Sequence, residues 1–394
     1  MRRIQFTCLF LFTVFFHLAA QSTSIIGTVI DSANQAPIPF ATVYFDGTTN
    51  GQTTDDNGKF ELALNGIELP AILVVSHIGY RTQSLSIQDP TKSLNIALAV
   101  QGQMIQTVVV QDEDQRMKNL EEFRKVFLGA DDWGLRAKIQ NEEALFFNRD
   151  YETQQLRIRS KGMMKRALTI NRRGGAWSAD SSSYTFEQAL NLQAKAKVPL
   201  EIKLPDLGYT VQVDLVRFLS EYRAGKTSHL GHYFFKPVVN KSGKPKARHK
   251  INRQQAYYNS SLHFLRSLYA GQLVENGYQI YERVRNRSNR KTELKLFDIS
   301  PYLKQVEGEQ LEIRGLKDRH LAILYYGDIK GRPLPRKKWN RTQPVQSGIY
   351  IGEDLCRIRA DGTVGESDLA FSGYIGTRGV AWILPSDYEP PSSN

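Results

Sequence analysis

The sequence predicts a mainly β, α+β protein, with an N-terminal seven-stranded β-sandwich followed by a larger α+β domain. Three observations carry the prediction. Between Ile25 and Leu98, apolar and polar residues alternate in short runs, separated by glycine and aspartate turns. Beyond the polar stretch Gln111–Gln115, apolar residues recur at three- and four-residue spacing, as on one face of a helix. Alternating runs then return and interleave with further helical spacing to the C-terminus.

Residues 1–20 read as a secretory signal peptide. Met1-Arg2-Arg3 precedes the apolar stretch Phe6 to Leu18, and the small pair Ala19-Ala20 precedes polar Gln21-Ser22. The apolar stretch falls short of the roughly 20 residues that a membrane-spanning helix needs, and no later run of that length lacks charges. A lipid anchor would require a cysteine at the cleavage point, where Gln21 stands. The mature chain is therefore expected to be soluble and exported, periplasmic or cell-surface associated, with the periplasm favoured. Once Cys8 is removed, Cys356 is the sole thiol, which excludes an intramolecular disulfide. Stability must come from packing, and the length calls for two or more domains.

The sandwich domain is placed at residues 21–110. Thr28-Val29-Ile30, Ala41 to Phe45, Lys59 to Leu64 and Leu85-Ser86-Ile87 alternate with the two-residue period of half-buried strands, whereas Ile72 to Ser76 is continuous enough for a central strand. Pro37 and Pro39 bracket a strand start, where a missing backbone donor does little harm. Asp55-Asp56-Asn57-Gly58 is expected to form a tight hairpin turn between a strand ending near Thr54 and one starting at Lys59. A calcium loop is the alternative there, but the glutamate that would close it is missing. Gly79-Tyr80 turns the chain, and Thr107 to Val110 reads as a last strand.

The order Gly27-Thr28-Val29 with Asp31, Pro37 with Ala41 and Val43, Thr53 with Asp55, Gly58 and Phe60, then Gly79-Tyr80, resembles the carboxypeptidase regulatory-like domain. That family implies a transthyretin-like β-sandwich, common in exported proteins of Bacteroidetes type, and an accessory role. Peptidase activity in true carboxypeptidases belongs to a separate zinc domain with a His-x-x-Glu pair. None of His77, His229, His232, His249, His263 and His320 is followed three residues later by Glu, so that zinc half-site is missing.

Residues 111–116 read as a linker and 117–394 as the α+β domain. Met117, Leu120, Phe123, Val126 and Phe127 mark an amphipathic helix stopped by Gly129. Leu156 to Ser160, Leu168 to Asn171, Val211 to Phe218, Gly231 to Pro237, Tyr278 to Val284 and Ile349 to Ile351 read as strands. Tyr258, Leu262, Leu265 and Tyr269 are expected to share one face of a single helix over Ala256 to Ala270. Five segments resemble the region that follows the regulatory-like domain in uncharacterised envelope proteins of the same type: Asn119 to Phe123, Phe127 to Gly129, Leu207 to Tyr209, Tyr258 to Arg266, and Leu384 to Tyr388. Those relatives often carry a cysteine shortly after the first helix, where Ala137-Lys138-Ile139 stands here. The likeness implies an architecture and an address, with no assigned reaction.

The expected activity is binding, without a cofactor, a metal or a catalytic set. Net charge is +12, and much of the excess falls between Lys241 and Arg341, including Arg336-Lys337-Lys338 beside Trp339. These four residues could face an anionic envelope lipid, an anionic polysaccharide or an envelope protein, whereas nucleic acid is scarce outside the cytoplasm. Solvated loops that favour solubility are the simpler account of the same charges. Tyr257, Tyr258, His263 and Arg266 form the second candidate set, since the three-residue step from His263 to Arg266 could line one cleft with a tyrosine hydroxyl. The structural alternative is that His263 donates a hydrogen bond to a backbone carbonyl and Arg266 ties down a loop. His229 and His232, three apart on a strand, should face opposite ways and not share a metal. An envelope hydrolase remains the alternative function, with its site near Tyr257 to Arg266 or among Glu353, Asp354, Asp361 and Glu366. A receptor plug is disfavoured because too little chain follows the sandwich for a large barrel.

Overall fold

The computed structural model describes residues 24–102, 113–157, 172–177, 183–285, 292–306, 310–364 and 369–391. The expected signal peptide, the strand Thr107–Val110 and the strand Leu168–Asn171 lie outside the described residues. The first module contains seven strands: β1 (Ser24–Asp31), β2 (Thr42–Phe45), β3 (Gly51–Thr53), β4 (Lys59–Ala63), β5 (Ala71–Ser76), β6 (Gln83–Ile87) and β7 (Leu94–Leu98). They form two sheets, ordered β4-β1-β7 and β3-β2-β5-β6. Ile25, Val29, Val43, Phe45, Phe60, Leu62, Leu73, Val75 and Ile96 fill the space between the sheets. Each such side chain contributes about 1.5–3 kcal/mol through burial.

The landmarks that carry the resemblance are explained by this packing. A Cβ on Gly27 would lie 2.6 Å from the Phe60 ring, so these two residues require each other. The Ala33 backbone N–H and, second to it, the Tyr80 hydroxyl, which donates to Asp31 at 2.9 Å, hold that carboxyl below the usual carboxylate range. Asp55 accepts from the N–H groups of Asn57 and Lys59, while Gly58 sits at φ +71. This is the expected tight turn, but it is not a hairpin. β3 and β4 lie in different sheets, so the turn carries the chain across the sandwich.

Next come α1 (Glu113–Phe127), α2 (Asp132–Arg136), β8 (Lys138–Ile139), β9 (Leu145–Asn148), β10 (Tyr151–Arg157), β11 (Arg172–Trp177), β12 (Ser183–Ala189), β13 (Asn191–Ala196), β14 (Leu200–Leu204), β15 (Tyr209–Glu221) and β16 (Lys226–Pro237). α1 begins four residues before Met117. The acidic residues Glu113 and Asp114, expected in the linker, form its first turn, where the helix dipole favours negative charge. β8-β14-β15-β13-β9 form one sheet, and β16 runs along the other edge of β15. Val211, Val213, Leu215 and Phe218 of β15 face Leu120, Phe123 and Phe127 of α1 within a single apolar cluster.

The remaining elements are α3 (Ala247–Tyr257), α4 (Ser261–Tyr269), β17 (Tyr278–Arg285), β18 (Thr292–Leu296), β19 (Leu303–Val306), β20 (Gln310–Arg314), β21 (Arg319–Tyr325), β22 (Val345–Ile351), β23 (Leu355–Arg359) and β24 (Leu369–Ser372). The single helix expected over Ala256 to Ala270 is two helices. Asn259 adopts φ +56, and Ser260 caps α4 by accepting from the His263 N–H. Asparagine tolerates the left-handed region and serine satisfies a free helix-end donor, so the break has a local cause. Tyr257 belongs to the core beneath α1, whereas Phe264, Leu265 and Leu268 pack with Tyr278, Ile323, Ile349 and Ile358 in a second core. The α3–α4 junction thus bridges two cores within the larger region.

Candidate functional site

The junction gathers one of the two candidate sets. His263 lies in the first turn of α4, 3% exposed, with ring centroids of Tyr257, Tyr258, Tyr278 and Tyr325 at 4.9, 5.5, 5.1 and 6.0 Å. The Asn259 backbone N–H donates to Nδ1 at 3.3 Å, and the Tyr278 hydroxyl lies 2.9 Å from the same nitrogen. Since an amide N–H can only donate, Nδ1 is the acceptor and the neutral ring carries its proton on Nε2. Burial pushes the imidazole down to about 3, with the Arg266 charge acting in the same direction and Asn276 opposing both. Among the described residues no carboxylate reaches this ring. The ring is neutral and closed off from solvent, but its backbone bond runs opposite to the expected one: Nδ1 accepts from the Asn259 N–H, where donation to a carbonyl was expected.

Arg266, one turn further along α4, is fully used. Its guanidinium donates to the carbonyls of Asp361 at 3.0 Å, Ser386 at 2.8 Å and Tyr388 at 2.9 Å, and stands 5.8 Å from the centre of the Tyr257 ring. The Tyr388 ring packs 5.8 Å from that same tyrosine. Tyr257, Tyr258, His263 and Arg266 therefore do meet, as the tie between α4 and the C-terminal segment.

The second set lies in the connection from β21 to β22. Residues 336–341 form one short 3-10 turn in which Arg336, Lys337 and Lys338 are exposed. Trp339 is 6% exposed, lies parallel to Tyr326 at 4.3 Å between centroids, and donates its indole N–H to the Leu334 carbonyl at 2.8 Å. Its ring is thus an anchor for the turn. Arg336, Lys337, Lys338 and Arg341 have no carboxylate within ion-pairing distance among the described residues. The two sets stand at opposite sides of the Tyr325-Tyr326 pair, since Tyr325 joins the His263 cluster and Tyr326 holds Trp339.

Asp361 accepts from the Thr363 N–H and hydroxyl within its own turn, and Glu366 lies outside the described residues. His229 stands edge-on to Phe127 at 5.2 Å while His232 turns to Asp46. Among the described residues no group of three metal-ligating side chains occurs.

Sequence reasoning missed a third assembly, the joint between the sandwich and the rest. The turn between β2 and β3 adds to the open edge of β16 like a short parallel strand. Gly47 N–H donates to the Tyr233 carbonyl at 2.8 Å and Phe235 N–H to the Thr48 carbonyl at 3.0 Å. His232 Nδ1 lies 2.8 Å from Asp46, whose other oxygen accepts from the Tyr233 N–H at 2.8 Å. The hydrogen bond to Asp46 raises the His232 imidazole above its ordinary value. The C-terminal segment locks the joint, with Ser386 N–H on the Gly47 carbonyl at 2.7 Å and Asp387 accepting from Thr49. Tyr44 stacks on Phe234 at 4.9 Å beneath these bonds. The only sequence signal was the Leu384–Tyr388 segment itself, conspicuous without any chemistry attached.

Residues 25–110 match the CarboxypepD_reg-like domain family. A TonB-dependent receptor of Formosa agariphila is 35% identical over 109 residues, which are 27% of this chain and 10% of the receptor. The chain thus spans about a tenth of the length of that curated relative. A solved Bacteroides fragilis protein of unknown function aligns over 54% of this chain and 94% of its own, at 12% identity and a TM-score of 0.17, too slight a likeness to inform the fold.

Proposed function

We propose, starting from residues 25–110 as a CarboxypepD_reg-like domain, that this is an exported, non-catalytic envelope protein whose larger region binds an anionic partner. One observation carries the reading. Arg336, Lys337 and Lys338 project from a turn pinned by the buried Trp339, with no acidic neighbour to neutralise them among the described residues. Cations held outward without partners keep their full field for an incoming anion. The interior position of His263, neutral and enclosed, favours binding over hydrolysis at the other candidate set. The likeness of the sandwich to part of a TonB-dependent receptor supports an envelope address.

Binding to a soluble polyanion such as dextran sulfate tests the electrostatic part. Affinity should fall steeply with salt, and Lys337→Glu with Lys338→Glu should weaken it by roughly tenfold, because opposed charges near a binding surface interact over about a Debye length. Affinity indifferent to both salt and the double substitution would remove the basis of the proposal.

A further inference from the structure

We infer that the connection from β21 to β22 docks on a membrane surface bearing anionic phosphate headgroups, with Ile329 as its apolar tip; this rests on the anionic-partner reading above. Between Tyr326 and Val345 the chain carries six cations and a single acid, Asp328. That acid is spent inside the loop. Its Oδ1 accepts from the N–H groups of Lys330 and Arg332 at 2.8 and 2.9 Å, and its Oδ2 accepts from Arg332 Nε at 3.0 Å. Asp328 N–H donates to the Arg332 carbonyl and Leu334 N–H to the Tyr326 carbonyl, which closes a small hairpin around Gly327 and Pro333. Lys330, Arg336, Lys337, Lys338 and Arg341 remain exposed and without a carboxylate partner among the described residues.

The apex decides between partners. Among the described residues Ile329 is the most exposed of the large apolar side chains, wholly open to solvent, and sits at the tip of a turn too well bonded to fold over and cover it. A hydrophilic polyanion offers an aliphatic side chain nothing. A lipid interface offers it the boundary between headgroups and acyl chains while phosphates meet the surrounding cations, the combination by which peripheral proteins hold to anionic membranes. Trp339, buried on Tyr326, fixes the 3-10 turn so that cations and apex belong to one ordered loop.

Sedimentation of the mature chain with vesicles tests this. Vesicles containing about three-tenths phosphatidylglycerol should bind it, purely phosphatidylcholine vesicles should not, and salt should release it, since each juxtamembrane cation is worth about fivefold at an anionic surface. Ile329→Ser should weaken vesicle binding by up to about fiftyfold, the transfer value of the three lost apolar carbons when all are buried, and leave dextran sulfate binding unchanged. Being fully exposed, that side chain can be replaced without loss of fold. Dextran sulfate binding combined with no response of vesicle binding to Ile329→Ser, or with no vesicle binding at all, overturns the membrane inference and leaves the anionic-partner reading standing. Failure to bind either probe overturns both.

Discussion

His263 shows how a residue that reads as chemistry becomes structure. Its ring bonds backbone and tyrosine, and burial holds it neutral with an affinity for protons far below that of the unfolded chain. The consequence for stability has a definite sign. Between pH 6.5 and about 3 the unfolded chain binds a proton that the native ring refuses, so this contribution is complete above pH 6.5 and is lost as pH falls. Each pH unit below 6.5 should cost about 1.4 kcal/mol until the native ring itself titrates. His249, buried beside Arg248 and Arg253, adds a loss of the same sign. Denaturant titrations at pH 7 and pH 5 should therefore differ by roughly 2 kcal/mol for the His263 share, and His263→Phe should flatten that difference. An imidazole of His263 that titrates near its ordinary value by NMR would contradict the enclosed geometry. Glu122 and Asn119, in a segment singled out by the resemblance, also serve packing: both accept from the Arg149 guanidinium, which joins α1 to the end of β9.

Among the elements, Leu207-Gly208-Tyr209 shows why a motif without reactive groups can still be exacting. Gly208 sits at φ +66, and an added Cβ would lie 2.0 Å from Nδ1 of His249, which is itself packed in α3. Its carbonyl and that of Leu207 receive the buried Arg253 guanidinium at 2.9 and 2.8 Å, while the Tyr209 ring lies 3.8 Å from the charge centre. Gly208→Ala is expected to destabilise by roughly 2–4 kcal/mol, from left-handed strain and forced movement of the imidazole; an unchanged denaturation midpoint would show that α3 is free to shift. The sandwich was readable in the sequence because its strands alternate and its turns announce themselves locally. Phe60 and Gly27 even face each other across β1 and β4, as their shared motif requires. Less could be read of the larger region. Strands such as β20 and β21 bury both faces in places, Ile323 and Ala322 alike, so their apolar runs carry no period to read. The split of one expected helix turned on Asn259-Ser260, a local signal outweighed by the apolar spacing on either side of it. The exposed cations were evident from composition, but the inward turn of Trp339 depends on Tyr326, which only the fold brings beneath it.

At the scale of the whole molecule, the joint at Gly47–Thr49 decides whether sandwich and larger region behave as one body. Backbone bonds to β16, the Asp46–His232 pair and the Ser386–Asp387 clasp all meet within one turn of the sandwich. Because Asp46 raises the His232 imidazole, the pair's contribution is fully present below pH 6.5 and is lost as pH rises through the raised native value, the opposite sense to His263. Hydrogen exchange can isolate this joint from the rest, since the amides of Gly47 and Phe235 bond across it. Their protection factors, corrected for intrinsic exchange, are expected to be higher at pH 6 than at pH 8.5. His232→Gln should remove that difference while amides deep in the sandwich, such as that of Val75, keep theirs. Asp387→Ala should lower protection at Gly47 at both pH values, because the clasp on Thr49 carries no imidazole. Equal protection of Gly47 and Phe235 at both pH values in the wild-type chain would mean that the backbone bonds alone hold the joint, with the ion pair as a bystander.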